Sequence, residues 1–196
     1  MLPLAERLRP KTLNEYIGQK HLVGEGAILR QMIENGNLSS FILWGPPGVG
    51  KTTLARIIAH QLERPFYTLS AVTSGVKEVR EVIDKAKRFV AMNSGLFASS
   101  TSGTETNNRP SPILFIDEIH RFSKSQQDSL LGAVEDGTIT LIGATTENPS
   151  FEVITPLLSR CQVYVPKPLD KTHLLALLQR PLTEAAYLPS LCIELR

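Results

Sequence analysis

One short segment constrains the fold of this chain more than any other. In ILWGPPGVGKTT, residues 42–53, an apolar run leads into Gly45, and Gly50, Lys51 and Thr52 follow directly before a helical pattern. This G-x-x-x-x-G-K-[ST] spacing between a strand and a helix is typical of a phosphate-binding loop. Its backbone N–H groups and lysine can hold phosphate oxygens, and its threonine hydroxyl can ligate Mg²⁺. The segment therefore predicts a site for ATP and Mg²⁺. The predicted nucleotide contacts in the loop are Gly45, Pro46, Pro47, Gly48, Val49, Gly50, Lys51, Thr52 and Thr53, with Thr52 also a metal ligand.

From Phe41 onward, short apolar runs alternate with longer segments of helical period, which is the pattern of an α/β domain with a parallel sheet. The apolar runs predict five strands, over 41–44, 66–69, 113–117, 139–145 and 162–165. Three helices are predicted between them, over 51–62, 76–90 and 125–135. The third is expected to follow a turn at 121–124 and to begin with a capping box of Ser125 and Asp128.

Two acidic residues, Asp117 and Glu118, end the third predicted strand, in PILFIDEIHRF. Ligands of open α/β sheets lie at the carboxyl ends of strands, so we expect this pair beside the phosphate-binding loop. Asp117 suits a contact to Mg²⁺ through water, and Glu118 suits polarising the water that attacks the γ-phosphate. His120 completes a D-E-x-H spelling shared with helicases, but a helicase needs a second motor domain that this chain is too short to hold. We assign His120 no catalytic role.

Two further polar residues are candidates for the same chemistry. Asn148 follows the fourth predicted strand, where it is either a turn former before Pro149 or a side chain that reaches the attacking water. Arg160 precedes the last strand, where it is either a surface charge or an arginine that crosses a subunit boundary to stabilise transition-state charge. The spacing alone leaves both pairs of alternatives open.

Composition excludes several classes of protein. Apolar residues make up 42% of the chain and charged residues 20%, which is close to the average for globular domains. No apolar stretch approaches the ~20 residues of a membrane helix, and the start lacks the apolar run of a secretory signal. We therefore expect a cytoplasmic protein without a membrane partner. Cys161 and Cys192 have no C-x-x-C spacing and the histidines are scattered, so we expect reduced thiols and no zinc site.

The chain resembles AAA+ ATPases of the clamp-loader clade, and more narrowly the RarA/MgsA family of replication-associated recombination proteins, with their relative the Werner-helicase-interacting protein. The matching segments cover most of residues 4–169. They are LAERLRPKTLNEYIGQKHL, ILWGPPGVGKTT, SAVTSGVKEVREVI, ILFIDEIHRFSKSQQD, GTITLIGATTENPSFEV and PLLSRCQVYV. The resemblance implies a three-layer P-loop NTPase core over 1–168 with a five-stranded parallel sheet, followed by the start of a helical lid over 169–196 that the chain truncates.

The resemblance also implies a function. It implies ATP hydrolysis, stimulated by DNA, at stalled or gapped replication forks or single-strand/duplex junctions. The family self-associates into a homo-oligomer, and a single-strand-binding protein and a nucleoid-associated location fit this role. By position, Asn148 takes the sensor-1 role and Arg160 that of the trans-acting arginine finger. Tyr16 and Ile17 are the implied adenine contacts, unless their segment is only a leader packed on the core.

DNA contact is expected at TSGVK, where free N–H groups of a helix start, with Lys77 and Arg80, can hold a phosphate. A solvated helix face is the alternative. Residues 93–112 are rich in Ser, Thr, Gly, Asn and Pro and predict a flexible inserted loop, longer than is common in the family.

Two alternative functions are a clamp-loader subunit proper and a nucleotide-dependent interaction module. Against the first, bacterial clamp-loader motor subunits carry a four-cysteine zinc module, which two distant cysteines cannot build. The second alternative, an interaction module without turnover, is favoured by the incomplete lid. Only 171–180 predicts a lid helix, and the lid's sensor-2 arginine is not expected before Arg196.

Overall fold

A computed structural model describes residues 4–95 and 111–183 of the chain. Five strands form one sheet in which every pairing is parallel, in the order β2-β3-β4-β1-β5. The strands are β1 (Phe41–Trp44), β2 (Phe66–Ser70), β3 (Ile113–Asp117), β4 (Thr140–Thr145) and β5 (Gln162–Tyr164). The predicted α/β fold with five parallel strands is confirmed.

Helices connect the strands and cover both faces of the sheet. They are α1 (Leu4–Arg7), α2 (Lys20–Val23), α3 (Ile28–Glu34), α4 (Lys51–Gln61), α5 (Val76–Gly95), α6 (Lys124–Glu135), α7 (Pro149–Glu152), α8 (Thr155–Leu158) and α9 (Lys171–Thr183), with a 3₁₀ helix, η1, at Ile119–Arg121. In the part of the chain that the structure describes, no helix is long and apolar enough to cross a bilayer.

The core lies in two layers, one on each face of the sheet, because alternate strand residues point to opposite faces. Ile113 and Phe115 of β3 pack with α3 and α4 on one face. Leu114 and Ile116 of the same strand pack with α5 and α6 on the other. The three central strands are buried almost throughout, whereas the edge strands β2 and β5 are partly exposed. Continuous apolar runs are what burial on both faces requires.

Several predicted boundaries need correction. Helix α5 continues to Gly95, so 93–95 belong to a helix rather than to the predicted inserted loop. At the other end of that loop, the Pro112 carbonyl accepts a hydrogen bond from the Thr140 N–H, which fixes residue 112 to the sheet. The rest of the predicted loop, 96–110, lies outside the described residues, as does the predicted lid segment 184–196.

The start of α6 also differs from the prediction. The N-cap is Ser123, whose side chain accepts from the Gln126 N–H at 3.3 Å, while the Gln126 side chain accepts from the Ser123 N–H at 2.8 Å. The capping box predicted for Ser125 and Asp128 is therefore wrong. The preceding residues are not a simple turn, since η1 ends at Arg121 and the buried Phe122 leaves Ser123 as the first residue free to cap.

Candidate nucleotide-binding site

The phosphate-binding loop joins β1 to α4 and adopts backbone conformations that favour glycine. Gly48 and Gly50 have φ angles of 78° and 93°, in the left-handed region. A Cβ built on Gly50 would lie 2.8 Å from the Tyr16 hydroxyl, and one on Gly45 would lie 2.7 Å from the Pro166 carbonyl oxygen. The loop is therefore packed closely from both sides, and its shape depends on these glycines.

The Lys51 ammonium is turned into the loop. The residue is 8% exposed, and Nζ donates to the carbonyl oxygens of Gly45 at 2.6 Å and Pro46 at 3.0 Å. Burial lowers the pKa of Lys51, while the nearby Glu118 and Asp117 carboxylates act in the opposite direction. Two neutral carbonyls thus hold a buried cation where anionic phosphate oxygens would be stronger acceptors.

A cleft of about 330 Å³ brings the predicted phosphate and metal ligands together. It is lined by Arg9, Pro47, Gly48, Gly50, Lys51, Thr52, Thr53, Asp117 and Glu118. The Thr52 hydroxyl and the Asp117 carboxylate are oxygen ligands of the type Mg²⁺ prefers, and Gly48, with open space at its Cβ position, leaves room beside them. The donor set therefore fits a nucleoside triphosphate with Mg²⁺.

Arg9 is a member of this cleft that the sequence reasoning missed. One guanidinium nitrogen donates to the Thr53 hydroxyl at 3.2 Å, and two others donate to the Glu6 carboxylate at 3.0 and 2.8 Å. Glu6 in turn pairs with Arg56 at 2.8 Å. Arg9 lies seven residues before Tyr16, one of the two implied adenine contacts, so its basic side chain was the available signal.

Tyr16 supports the loop from within the core and does not line the cleft. It is 8% exposed, and its hydroxyl donates to the carbonyl oxygens of Val49 and Gly50, each at 3.2 Å. Burial raises the pKa of the Tyr16 phenol, which keeps it a donor at neutral pH. Ile17 is half-buried beside it. Their predicted contact with adenine remains a prediction.

Glu118 has a backbone conformation unusual for a residue with a side chain. Its φ is 54°, in the left-handed region, at the junction of β3 and η1. One carboxylate oxygen, Oε2, accepts from the Thr146 hydroxyl at 3.3 Å and lies 3.2 Å from His120 Nδ1. Strained backbone of this kind concentrates at functional sites. Neither Thr146 nor His120 was among the predicted site residues.

Asn148 lies two residues beyond Thr146 and has a structural partner. Its Oδ1 accepts from the Ser150 N–H at 3.0 Å, which caps α7. Pro149 stands at the first helical position, where proline is favoured, so the Asn-Pro pair is itself a signal for a helix start. In the structure, therefore, it is Thr146 that contacts Glu118, while the catalytic role of Asn148 remains a prediction.

Arg160 lies at the opposite end of the strands from the phosphate-binding loop. Its guanidinium pairs with the Glu135 carboxylate at 2.6 Å and donates to the Pro156 carbonyl at 2.7 Å. It lines a cavity of about 660 Å³ with Ser40, Ser111 and Thr140, at the amino ends of the strands. Within one chain, Arg160 is thus outside the cleft that contains Lys51.

The predicted phosphate contact at the start of α5 needs correction. The Gly75 N–H is not free, because it donates to the Glu78 Oε2 at 2.8 Å, and hydrogen bonds from the backbone N–H groups of Glu78 itself and of Gly75 lower the pKa of the Glu78 carboxyl. A carboxylate already occupies the end of the helix where a DNA phosphate was expected. Lys77 and Arg80 are exposed, so the side-chain part of the prediction remains open.

Comparisons with known proteins agree with this geometry. A model of the ATPase family associated with various cellular activities (AAA) matches residues 41–169. Replication-associated recombination protein A is 50% identical over 178 residues in Haemophilus influenzae, covering 91% of this chain and 36% of that protein. In Escherichia coli K12 it is 53% identical over 168 residues, covering 86% and 34%. The ATPase WRNIP1 of Dictyostelium discoideum is 49% identical over 180 residues, covering 92% and 19%.

Solved structures show the same architecture. The RuvB Holliday junction branch migration motor of Thermotoga maritima aligns with a TM-score of 0.65 and 30% identity, over 93% of this chain and 55% of that one. The chain spans about a third of the length of the recombination proteins it matches. Because the family match includes both the phosphate-binding loop and the strand that ends in Asp117, the chain belongs to the AAA family of ATPases, and its resemblance to replication-associated recombination protein A and WRNIP1 is confirmed.

Proposed function

We propose that the chain binds ATP with Mg²⁺ in the phosphate-loop cleft and hydrolyses it, and that hydrolysis serves DNA remodelling at stalled or gapped replication forks. The observation that carries the proposal is the cleft itself, in which Lys51, Thr52, Asp117 and Glu118 line one volume. A basic residue for phosphate, two oxygen ligands and a second carboxylate are what phosphoryl transfer to water requires.

Each residue has a distinct role in this proposal. Lys51 exchanges the loop carbonyls for β- and γ-phosphate oxygens, and Arg9 adds a second positive charge beside Thr53. Thr52 and Asp117 hold Mg²⁺, which when bound neutralises charge on the phosphates. Glu118 polarises the attacking water. Thr146, directly after β4, orients Glu118 through its hydroxyl. Asn148 is the proposed contact to the attacking water or the γ-phosphate.

The position of Arg160 supports a homo-oligomer. Since Arg160 and the cleft lie at opposite ends of the strands, Arg160 can reach a nucleotide only in a second copy of the chain. We propose that Arg160 acts in trans in a homo-oligomer, where such an arginine raises turnover by about 10³-fold or more.

The proposal of DNA as the partner rests on the relatives. Two relatives bear the name replication-associated recombination protein, and RuvB is a Holliday junction motor. The exposed Lys77 and Arg80 on α5 are the proposed phosphate contacts. A cytoplasmic, nucleoid-associated location and contact with a single-strand-binding protein belong to the same proposal.

The test is ATP turnover by this chain and by a version extended through the lid, each alone and with single-stranded, duplex or forked DNA. Glu118→Gln should keep nucleotide affinity and lose most but not all turnover, whereas Lys51→Ala should lose affinity. Turnover that ignores DNA in both chains would refute the action at forks. Tight binding without turnover in both chains would instead favour the interaction module.

A further inference from the structure

His120 lies against the proposed catalytic carboxylate, although the sequence pattern assigns it no role. The left-handed conformation of Glu118 turns the chain from β3 into η1, and this turn returns the His120 ring toward the end of the sheet. Nδ1 lies 3.2 Å from Glu118 Oε2 and 3.0 Å from the Thr145 hydroxyl at the end of β4. The His120 side chain is 13% exposed, so these contacts are largely shielded from water.

The neighbours of Nδ1 determine which ring nitrogen carries a hydrogen. The Thr145 hydroxyl donates its one proton to the Glu147 carbonyl at 3.1 Å and also accepts from the Glu147 N–H at 3.0 Å. Toward His120 it is therefore an acceptor. Glu118 Oε2 is an acceptor as well, so the lone pair of an Nδ1 without hydrogen would face the lone pairs of two oxygens and be repelled by them. These contacts assign the hydrogen to Nδ1, where both oxygens share it.

These bonds distinguish the two oxygens of the Glu118 carboxylate. Oε2 receives the His120 Nδ1–H and the Thr146 hydroxyl, from two different elements. Among the residues that the structure describes, no partner contacts Oε1, and Glu118 lines the cleft with Lys51 and Thr52. Two donors on one oxygen fix the rotation of the carboxylate and leave the other oxygen to receive a water.

We propose that His120 is a positioning residue for Glu118, donating from Nδ1 to hold the carboxylate in the orientation that polarises the attacking water. The inference rests on the proposed ATPase function and adds a residue to it. His120 contacts Glu118 and Thr145 and does not line the cleft, so it acts through Glu118 rather than on the nucleotide. In the D-E-x-H motif, the histidine two residues after the glutamate thus lies where its ring can hold the carboxylate.

Substitutions test this role by separating the donor from the ring. His120→Leu removes the donor, and we expect kcat for ATP to fall about 10- to 100-fold with KM nearly unchanged, because misplacing a catalytic group by ~1 Å costs rate on this scale. His120→Asn returns an N–H near the Nδ1 position and should restore kcat to within about threefold of the original. His60→Asn, an exposed histidine on α4, is the matched control and should have no effect.

A double variant identifies the residue through which His120 acts. In a Glu118→Gln background, His120→Leu should cause no further loss, because residues that act as a unit are not additive. Unchanged kcat in His120→Leu, or a leucine variant as active as the asparagine variant, would overturn the proposal. So would a full additional loss in the Glu118→Gln background.

A measurement without turnover keeps this test separate from that of the ATPase itself. Long-range ¹H–¹⁵N correlation spectra, with His120→Asn used to assign the signals, report which imidazole nitrogen carries hydrogen. A protonated Nδ1 is expected in the free protein, and an Nε2–H ring with a bare Nδ1 would overturn the inference. If the chain binds ATP without turnover, the ATPase proposal fails, and the spectrum then decides only whether His120 donates from Nδ1 to Glu118.

Discussion

Replacing Gln127 by leucine should destabilise the chain well beyond the usual effect of a single substitution. Gln127 lies in α6, is 1% exposed, and connects two parts of the fold through its side-chain amide. Nε2 donates to the carbonyl oxygens of Phe122 at 3.0 Å and Glu152 at 3.1 Å, and Oε1 accepts from the Ile154 N–H at 2.9 Å. The amide thus ties the start of α6 to the segment between α7 and α8 that leads to Arg160.

The magnitude follows from the backbone groups that lose their partner. Leucine has nearly the volume of glutamine, so no large cavity opens and hydrogen bonding dominates the cost. An unsatisfied buried group costs about 1–3 kcal/mol, and a carbonyl with a second lone pair tolerates the loss better than an N–H. With one N–H and two carbonyls affected, we expect a loss of about 3 kcal/mol. For a chain of this size, that lowers Tm by about 6–12 °C.

Urea unfolding followed by the fluorescence of Trp44, the one tryptophan, measures this loss directly. Asp128→Ala is the matched control, because Asp128 is exposed on the next position of the same helix and should change stability by less than about 0.5 kcal/mol. A loss below about 1 kcal/mol in Gln127→Leu would refute the reasoning, since the three bonds would then contribute little net stability. Equal losses in both variants would refute it too.

Three other substitutions and one modification test separate features. Ser123→Ala should cost about 1 kcal/mol by removing the cap of α6, in urea unfolding, whereas Ser125→Ala should cost little. Gly50→Ala should weaken binding of a fluorescent ATP analogue and lower stability by about 1–3 kcal/mol, because φ is 93° and Tyr16 fills the space. Gly132→Ala, with nothing near its Cβ position in the interior of α6, is the control and should preserve binding and raise stability by about 0.5–1 kcal/mol. Arg160→Ala should reduce ATP turnover in an assembled sample while leaving nucleotide affinity within about twofold, and full turnover would make Arg160 a surface charge. Burial raises the pKa of the Cys161 thiol to about 11, so its alkylation at pH 8, followed by mass spectrometry, should be about 100-fold slower than for a thiol of ordinary pKa.

The sequence was sufficient where a backbone pattern and a residue type coincide. The phosphate-binding loop needs positive-φ glycines between a strand and a helix, and residues 45–52 have glycines at those positions. Strands β1 and β3 were predicted to the residue because burial on both faces demands uninterrupted apolar runs bounded by turn residues. Asp117 was placed correctly at the cleft for the same reason, since it ends β3.

The sequence was insufficient where a side chain's direction decides its partner. Glu118 adopts a left-handed conformation that its residue type does not predict, and that turn brings His120 back to the carboxylate. At the end of β4, several polar residues follow one another, and only the local turn shows that Thr146 faces Glu118 while Asn148 caps α7. Arg9 reaches the cleft from a segment distant in sequence, through a contact with Thr53 that no local pattern encodes.

The pairing of Arg160 with Glu135 bears on whether the arginine can leave its own chain for a neighbour's nucleotide. The two side chains are 40% and 47% exposed, and exposed ion pairs contribute about 0–1 kcal/mol, so breaking this one costs little. An arginine finger supplies at least about 4 kcal/mol of transition-state stabilisation, as its 10³-fold or larger effect on rate implies. In the proposed homo-oligomer, loss of this pair would therefore offset only a small part of the transition-state stabilisation that Arg160 would supply to a neighbouring site. The position of the neighbouring subunit, rather than the strength of the intrachain pair, would then control access of Arg160 to the nucleotide.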